Sequence, residues 1–199
     1  MTADWDASGV EIKSERLRLK LFTSDDAAEV FAAITPAITR FMQWEPPRSP
    51  AAFAEVWRSW LAPILDGSDL HFVARSLADG RCLGLVGLHA AKTACPEIGI
   101  WIKEDVHGNG IGREAVAAVA AWASEEFNPD CFEYPVAEEN VASRRIAEGL
   151  GGSIVETRSN SKYISVVYVS PISDVETSRR ERSSPEQPPP CLNWSVPLP

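Results

Sequence analysis

Between Glu97 and Phe127 the chain carries the residue types and spacing best suited to chemistry: EIGIWIKEDVHGNGIGREAVAAVAAWASEEF. A short apolar stretch, Glu97 to Ile102, leads through a polar turn to the loop His107-Gly108-Asn109-Gly110-Ile111-Gly112. An amphipathic helical pattern follows without a break. Glycines let a backbone approach a ligand closely, and the unpaired N–H groups of a first helical turn face an anion with the helix dipole behind them. The stretch therefore reads as a phosphate cradle. A dinucleotide loop is the weaker reading, because Gly108, Gly110 and Gly112 alternate and do not form G-x-G-x-x-G. No βαβ unit with an acidic residue about 20 positions on follows either.

Such a loop needs a strand before it and a sheet beneath it. Val10 to Phe22 alternates Leu17, Leu19 and Leu21 against Arg16, Arg18 and Lys20, which predicts one half-buried strand. Ser24 is the expected N-cap of a helix with Asp25, Asp26 and Glu29 in its first turns, closed by Pro36; Ala37 to Gln43 suits a short helix. The prolines of Trp44 to Pro50 make a loop, and Ser49 with Pro50 opens a helix through Phe53, Val56, Trp57, Trp60 and Leu61. Trp57 and Trp60, three apart, are read as helix-face packing rather than a ligand cage. Leu70 to Ser76 and Cys82 to Ala90 flank the hairpin signal Ala78-Asp79-Gly80, and the Glu97 strand is expected to pair antiparallel with the second of them. Asp130 to Val136 is a further strand. Val141 to Leu150 is a helix ending at Gly151-Gly152, and Ser153 to Thr157 with Lys162 to Val169 form a closing pair around Ser159-Asn160. The order predicts a mixed α/β (α+β) domain with helices on a central sheet, spanning 10–169. Residues 1–9 are expected to be flexible, and the proline-rich residues 170–199 to form a disordered tail.

Composition narrows the function. A net charge of −9 over 199 residues, with no local basic cluster, argues against nucleic-acid binding driven by phosphate neutralisation. The longest apolar run, near Cys82 to Ala91, is far short of the roughly 20 residues of a membrane span. The N-terminus has neither a basic nor an apolar signal region, so the cytoplasm is the default compartment. Cys82, Cys95, Cys131 and Cys191 have no CxxC spacing and are expected to be free thiols. His71, His89 and His107 have no metal-ligand spacing, so no metal is expected; His89 is read equally as facing a cleft or as satisfied within the sheet.

Taken together, EIGIWI, HGNGIG and REAVAAVAAWA resemble the acyl-CoA-binding signature of the GNAT superfamily of N-acetyltransferases. Glu139-Asn140-Val141-Ala142-Ser143 through Gly151 resembles that superfamily's N-x-x-S…G helix. With the opening Ser14-Glu15-Arg16-Leu17-Arg18-Leu19, the chain is most similar to the RimJ/RimL-like branch over about residues 10–169. The family pattern is written Q/R-x-x-G-x-G/A, and His107 at its first position departs from it.

The resemblance implies a mostly antiparallel sheet flanked by helices and splayed between the fourth and fifth strands of this reading, the Glu97 strand and CFEYPV. It implies acetyl-CoA as co-substrate, with loop residues His107 to Gly112 and the amides from Asn109 to Arg113 on the pyrophosphate. Ile100, Trp101 and Ile102 would bond the pantetheine arm as an added strand would. Asn140 would touch the same arm, and the Arg113 cation would add to phosphate binding.

Amine attack on a thioester needs a proton acceptor and a donor for the leaving thiolate. Glu97 is the candidate base, weighed evenly against a solvated strand-start charge. Many relatives carry a tyrosine seven residues beyond the asparagine. Ala147 stands there, which leaves Ser143 as the donor, with cofactor binding or capping as its alternative. Trp44 and Glu45 are the expected acceptor wall, an apolar surface and an anion for a cationic amine. The implied partner is an amine acceptor, a small molecule or a protein N-terminus, and the chain would be a monomer or a homodimer. The competing reading is an acyl-CoA-binding module that has lost catalysis.

Overall fold

The structure, a computed structural model, describes residues 5–172. Eight strands form one sheet in the order β1-β2-β3-β4-β5-β6-β8-β7: β1 (Glu11–Lys13), β2 (Leu17–Leu21), β3 (Leu70–Ser76), β4 (Cys82–His89), β5 (Glu97–Ile102), β6 (Cys131–Ala137), β7 (Ser153–Ser159) and β8 (Ile164–Pro171). Every neighbouring pair is antiparallel except β5 with β6. The helices are α1 (Ala27–Ala33), α2 (Pro36–Thr39), α3 (Pro50–Asp66), α4 (Ile111–Phe127) and α5 (Val141–Gly149). The mixed class and the splay are as expected from the sequence.

Alternation along β5 puts Glu97, Gly99 and Trp101 on one face and Ile98, Ile100 and Ile102 on the other. A side chain on Gly112 of α4 would meet Ile100 and Ile102, so α4 covers the isoleucine face. On the opposite face Trp60 of α3 stacks on His71 of β3 at 4.2 Å. Sandwiched between two helical layers, β4 is buried over seven of its eight residues, which explains its nearly unbroken apolar run. Trp57 and Trp60 pack against the core, as expected.

Two expectations are corrected. The single strand over 10–22 is a hairpin: β1 turns through residues 14–16 into β2, with Ile12 opposite Leu19. Buried Ile12 and buried Leu17, Leu19 and Leu21 differ in parity, which one continuous strand could not satisfy. The cap of α1 begins earlier than Ser24. Thr23 and Asp26 form a capping box over a 3-10 turn, while Ser49 and Pro50 open α3 as expected. Within the segment expected to be flexible, Trp5 donates to the carbonyl of Ile64 at 3.1 Å and packs on Trp122 and Phe127. At the other end β8 runs on to Pro171 and Ile172 packs against the core, and residues 173–199 of the expected tail lie outside the described residues.

The cysteine expectation also changes. Cys95 and Cys131 are joined in a disulfide across 36 residues of sequence, with Cα atoms 4.7 Å apart. Cys82 is free and buried, and Cys191 lies outside the described residues. The pairing follows from β5 and β6 converging at their starts, where Asp130 donates to Ala94 and Glu133 donates to Pro96. Closing a loop of this length stabilises by about 4 kcal/mol in the chain-entropy account. Reduction should therefore lower Tm by about 10 °C, and Cys95→Ser should lower it equally and abolish the response to reductant. An unchanged Tm under reductant would show that the pair contributes nothing.

Candidate active site

The phosphate loop is built as its glycines require. Gly108 and Gly110 have φ of +78° and +76°, a region that side chains with a Cβ avoid, and Gly110 is the N-cap of α4. Gly112 serves packing instead, since a Cβ there would lie 3.1 Å from Ile146 of α5. His107 does not face the cradle: its Nε2 lies 2.7 Å from the carbonyl of Ile102 and fastens the loop to the end of β5. The exposed backbone from Gly108 to Gly110 is left to meet an anion, which fits a pyrophosphate. Arg113 is exposed and lies over Gly149 of α5, where an added Cβ would meet its guanidinium at 3.4 Å.

Two residues that sequence reasoning missed hold this loop. Arg16, in the β1–β2 turn, donates from Nη1 to the carbonyl of Asn109 at 2.9 Å and from Nε to Glu114 Oε2 at 2.6 Å. Glu114 also accepts from the Arg16 amide and from Ser14 Oγ. These bonds hold its carboxyl below the usual range against the opposing effect of partial burial. The Arg16 cation therefore sits at the rim of the cradle, within 3.5 Å of where a Gly110 Cβ would be. In sequence the two residues are 98 apart, and only the hairpin correction brings them together.

From the loop, the opening between β5 and β6 leads inward. Six residues of β5, Glu97 to Ile102, pair with β4, but only Glu97 pairs with β6, opposite Glu133. Past that point the two strands part, and the β6-facing edge of Ile100, Trp101 and Ile102 is free of strand pairing. This is the edge to which an extended arm could add. Asn140 caps α5 through its Oδ1, which accepts from the Ser143 amide at 3.2 Å, and its amide nitrogen is the donor it can offer to an arm.

Opposite protonic groups flank the opening. On the α3 face Glu97 is half-buried beside His89, its partner across β4–β5. Burial pushes the Glu97 carboxyl up, Glu133 and Asp69 add to the shift, and His89 and Arg158 oppose it. On the α5 face Ser143 Oγ lies 2.9 Å from the hydroxyl of Tyr134, a β6 residue that sequence reasoning passed over. Burial pushes the Tyr134 phenol up to about 12, so it stays neutral. Position 147 carries alanine, and the phenol beside Ser143 comes instead from the neighbouring strand. The signal for it was β6 alternation, which puts Tyr134 and Glu133 on opposite faces.

The two expected acceptor residues are placed apart in role. Trp44 is half-buried against the core, while Glu45 forms an ion pair at 2.7 Å with Lys162 from the β7–β8 turn. Lys162 also donates to the carbonyls of Thr39 and Trp44, so the 39–45 segment and that turn are joined. Next to Lys162, Tyr163 is close enough to Glu97 to feel its charge; burial, and then Glu97, push its phenol up.

The expectation that the histidines share no metal-type grouping does not survive strand pairing. His71 and His89 converge with Asp69, their polar atoms within 4.8 Å of one another. Asp69 Oδ1 accepts from His71 Nε2 at 3.0 Å, and His89 Nδ1 lies 3.0–3.1 Å from both carboxylate oxygens. These hydrogen bonds are how the cluster is held.

Residues 16–153 match the family model described as acetyltransferase (GNAT) domain. No curated protein matches the sequence significantly. Among solved structures the fold is similar to the RimL ribosomal L7/L12 alpha-N-protein acetyltransferase in complex with coenzyme A: TM-score 0.72, 14% identity, 82% of this chain and 98% of that one. It is also similar to the ribosomal-protein-S5-alanine acetyltransferase from Vibrio fischeri: TM-score 0.70, 16% identity, 84% and 100% covered. A GCN5-related N-acetyltransferase from Brucella melitensis gives a TM-score of 0.68 at 20% identity, with 87% and 82% covered. Among the described residues no helix is long and apolar enough to cross a membrane. The family model spans well over half of the sequence, and the chain belongs to the GNAT acetyltransferases, acyl-CoA-dependent enzymes that acetylate amines.

Proposed function

We propose that this protein transfers an acetyl group from acetyl-CoA to a primary amine by direct attack in a ternary complex, acting in the cytoplasm as a monomer or homodimer. The observation that carries the reading is the β5–β6 opening, with a proton-accepting group on one face, a proton-donating pair on the other and an anion cradle at its end. In this reading the amides from Asn109 to Arg113 hold the pyrophosphate, and the β6-facing edge of Ile100 to Ile102 bonds the pantetheine arm. Glu97, directly or through a water, takes the amine's proton. Tyr134 donates to Ser143 Oγ, which leaves the serine hydroxyl hydrogen for the departing thiolate.

The acceptor enters over Trp44, Lys162 and Tyr163. Glu45 is already neutralised by Lys162, so an incoming ammonium meets Glu97 as its anion. The ribosomal-protein acetyltransferases among the structural neighbours support a protein N-terminus as acceptor, and a small amine fits the same chemistry.

An acetyl-CoA turnover screen across amines, amino acids and N-terminal peptides, read by thiol release and product mass, tests the activity. If coenzyme A stabilises the fold and no acceptor is turned over, the transferase reading gives way to a binding module. For the donor pair, Ser143→Ala and Tyr134→Phe are each expected to lower kcat about 10- to 100-fold with the KM for acetyl-CoA little changed. The double variant should be no worse than the single ones. Full activity in Tyr134→Phe would make that tyrosine a packing residue only.

A further inference from the structure

N-acetyl transfer releases a proton. An ammonium group brings three hydrogens on nitrogen: the amide keeps one as the C–N bond forms, the thiol takes one as the C–S bond breaks, and one must leave. Glu97 is half-buried, with Glu133 on one side, and it needs somewhere to pass that proton.

We propose that Asp69 and His89 form the proton exit of this site, with Nε2 of His89 taking the proton from Glu97 and Asp69 holding the resulting imidazolium. The inference rests on the acetyl-transfer reading above. Its first support is tautomeric. Asp69 is an ionised carboxylate, its pKa held well down by the hydrogen bonds and charges of both rings against the large opposing effect of burial, and it can only accept. His89 Nδ1 therefore carries the hydrogen, which leaves Nε2 as an acceptor. The same logic gives His71 its hydrogen on Nε2.

The two imidazoles then differ. His71 is stacked beneath Trp60 and buried, and burial pushes its pKa down, so it stays neutral. His89 has a side chain 38% exposed, and it is pushed up because the Asp69 hydrogen bond and the charges of Asp69 and Glu97 outweigh burial. One carboxylate thus serves two rings of which only His89 takes a charge and reaches solvent.

The second support is steric. Gly87 and Gly99 face each other across β4–β5, and a Cβ on Gly87 would lie 2.6 Å from His89 Nε2. On Gly99 it would lie 3.5 Å away. The paired glycines clear the floor on which the ring lies, one row from Glu97. The charged and titratable groups around the pair are Asp69 and His71 from the β3 side, Glu97 of β5, Glu133 of β6, Arg158 of β7 and Tyr163 after β7.

Two readouts test the exit. Imidazole nitrogen NMR of the full chain without substrate, with the His89 signals assigned by their loss in His89→Gln, is expected to show the Nδ1–H tautomer. The midpoint should lie above the ordinary 6.5 and fall in Asp69→Asn. An Nε2–H tautomer, or a midpoint unmoved by Asp69→Asn, overturns the proposal whether or not any amine is acetylated.

With the amine that the wild type acetylates best, His89→Gln should lower kcat about 10- to 100-fold at unchanged KM for acetyl-CoA. Gly87→Ala, which must displace the ring, should add little on top of it. Glu97→Gln with His89→Gln should lose no more than Glu97→Gln alone, as for groups acting in one path. Multiplying losses would overturn the shared path. Failure of every amine would remove the enzyme reading, and the NMR result would still decide whether His89 is the held acceptor.

Discussion

Gly110→Glu is expected to weaken coenzyme A binding by about a thousandfold, with the fold retained. Three effects act together. A φ of +76° costs a residue with a Cβ about 1–2 kcal/mol. The new side chain leaves the backbone with its Cβ 3.5 Å from Arg16 Nη2, so its carboxylate would draw that guanidinium from Asn109 and Glu114, which it now holds in place. It also puts a negative charge where a pyrophosphate must sit, and like charges about 4 Å apart repel by about 4 kcal/mol at a partly solvated surface. The last effect dominates, since about 1.4 kcal/mol is tenfold in affinity. Gly110→Ala isolates the backbone strain and should cost only about tenfold. Calorimetric titration with coenzyme A reads both. Affinity of the glutamate variant within tenfold of the wild type would mean that the phosphates bind elsewhere.

Glu97→Gln is expected to lower kcat by about 10²- to 10⁴-fold, the usual contribution of a positioned base, while acetyl-CoA affinity holds. Its pH behaviour carries a second signature. The Glu97 carboxyl is raised above its ordinary 4.5, chiefly by burial, so the active carboxylate forms only as pH climbs past that value. Activity should rise with pH along that limb, and the limb should vanish in the glutamine variant. Stability runs the opposite way. A group whose folded pKa is raised contributes stability that is complete below its unfolded pKa and lost as pH rises through the folded one. The charged form is the one that burial disfavours, and Glu97→Gln should melt at the same temperature or higher while losing turnover. Unchanged turnover near neutral pH would rule Glu97 out as the base, and a large drop in Tm would make it a structural residue.

The parts of this site that were legible in the sequence are those whose physics is local. The glycine loop, the start of α4, the Asn140 helix opening and the Glu97 strand each declare themselves within a few residues, through φ preference, capping and alternation. Tyr134 was hidden for a different reason. It sits within CFEYPV as an ordinary strand aromatic, and it becomes a partner of Ser143 only because α5 folds back over β6. Arg16 was read as the polar side of a long strand, and the turn at residues 14–16 makes it a clamp on Asn109 instead. The cysteines misled because CxxC spacing tests nearness along the chain, whereas Cys95 and Cys131 meet through the convergence of two parallel strands.

By itself, then, the sequence determined that the chain carries an anion cradle on a helix N-terminus within a mixed sheet-and-helix domain. Backbone dihedrals and orphan amides are settled by neighbouring residues, so no tertiary information is needed to read them. Which groups share a face was decided only by the tertiary structure. Strand register and layer packing bring residues tens of positions apart within hydrogen-bond reach, and a shift of one residue would send every side chain of a strand to the opposite side. That register sets Glu97 beside His89 and Asp69 on one side of the β5–β6 opening and Ser143 beside Tyr134 on the other.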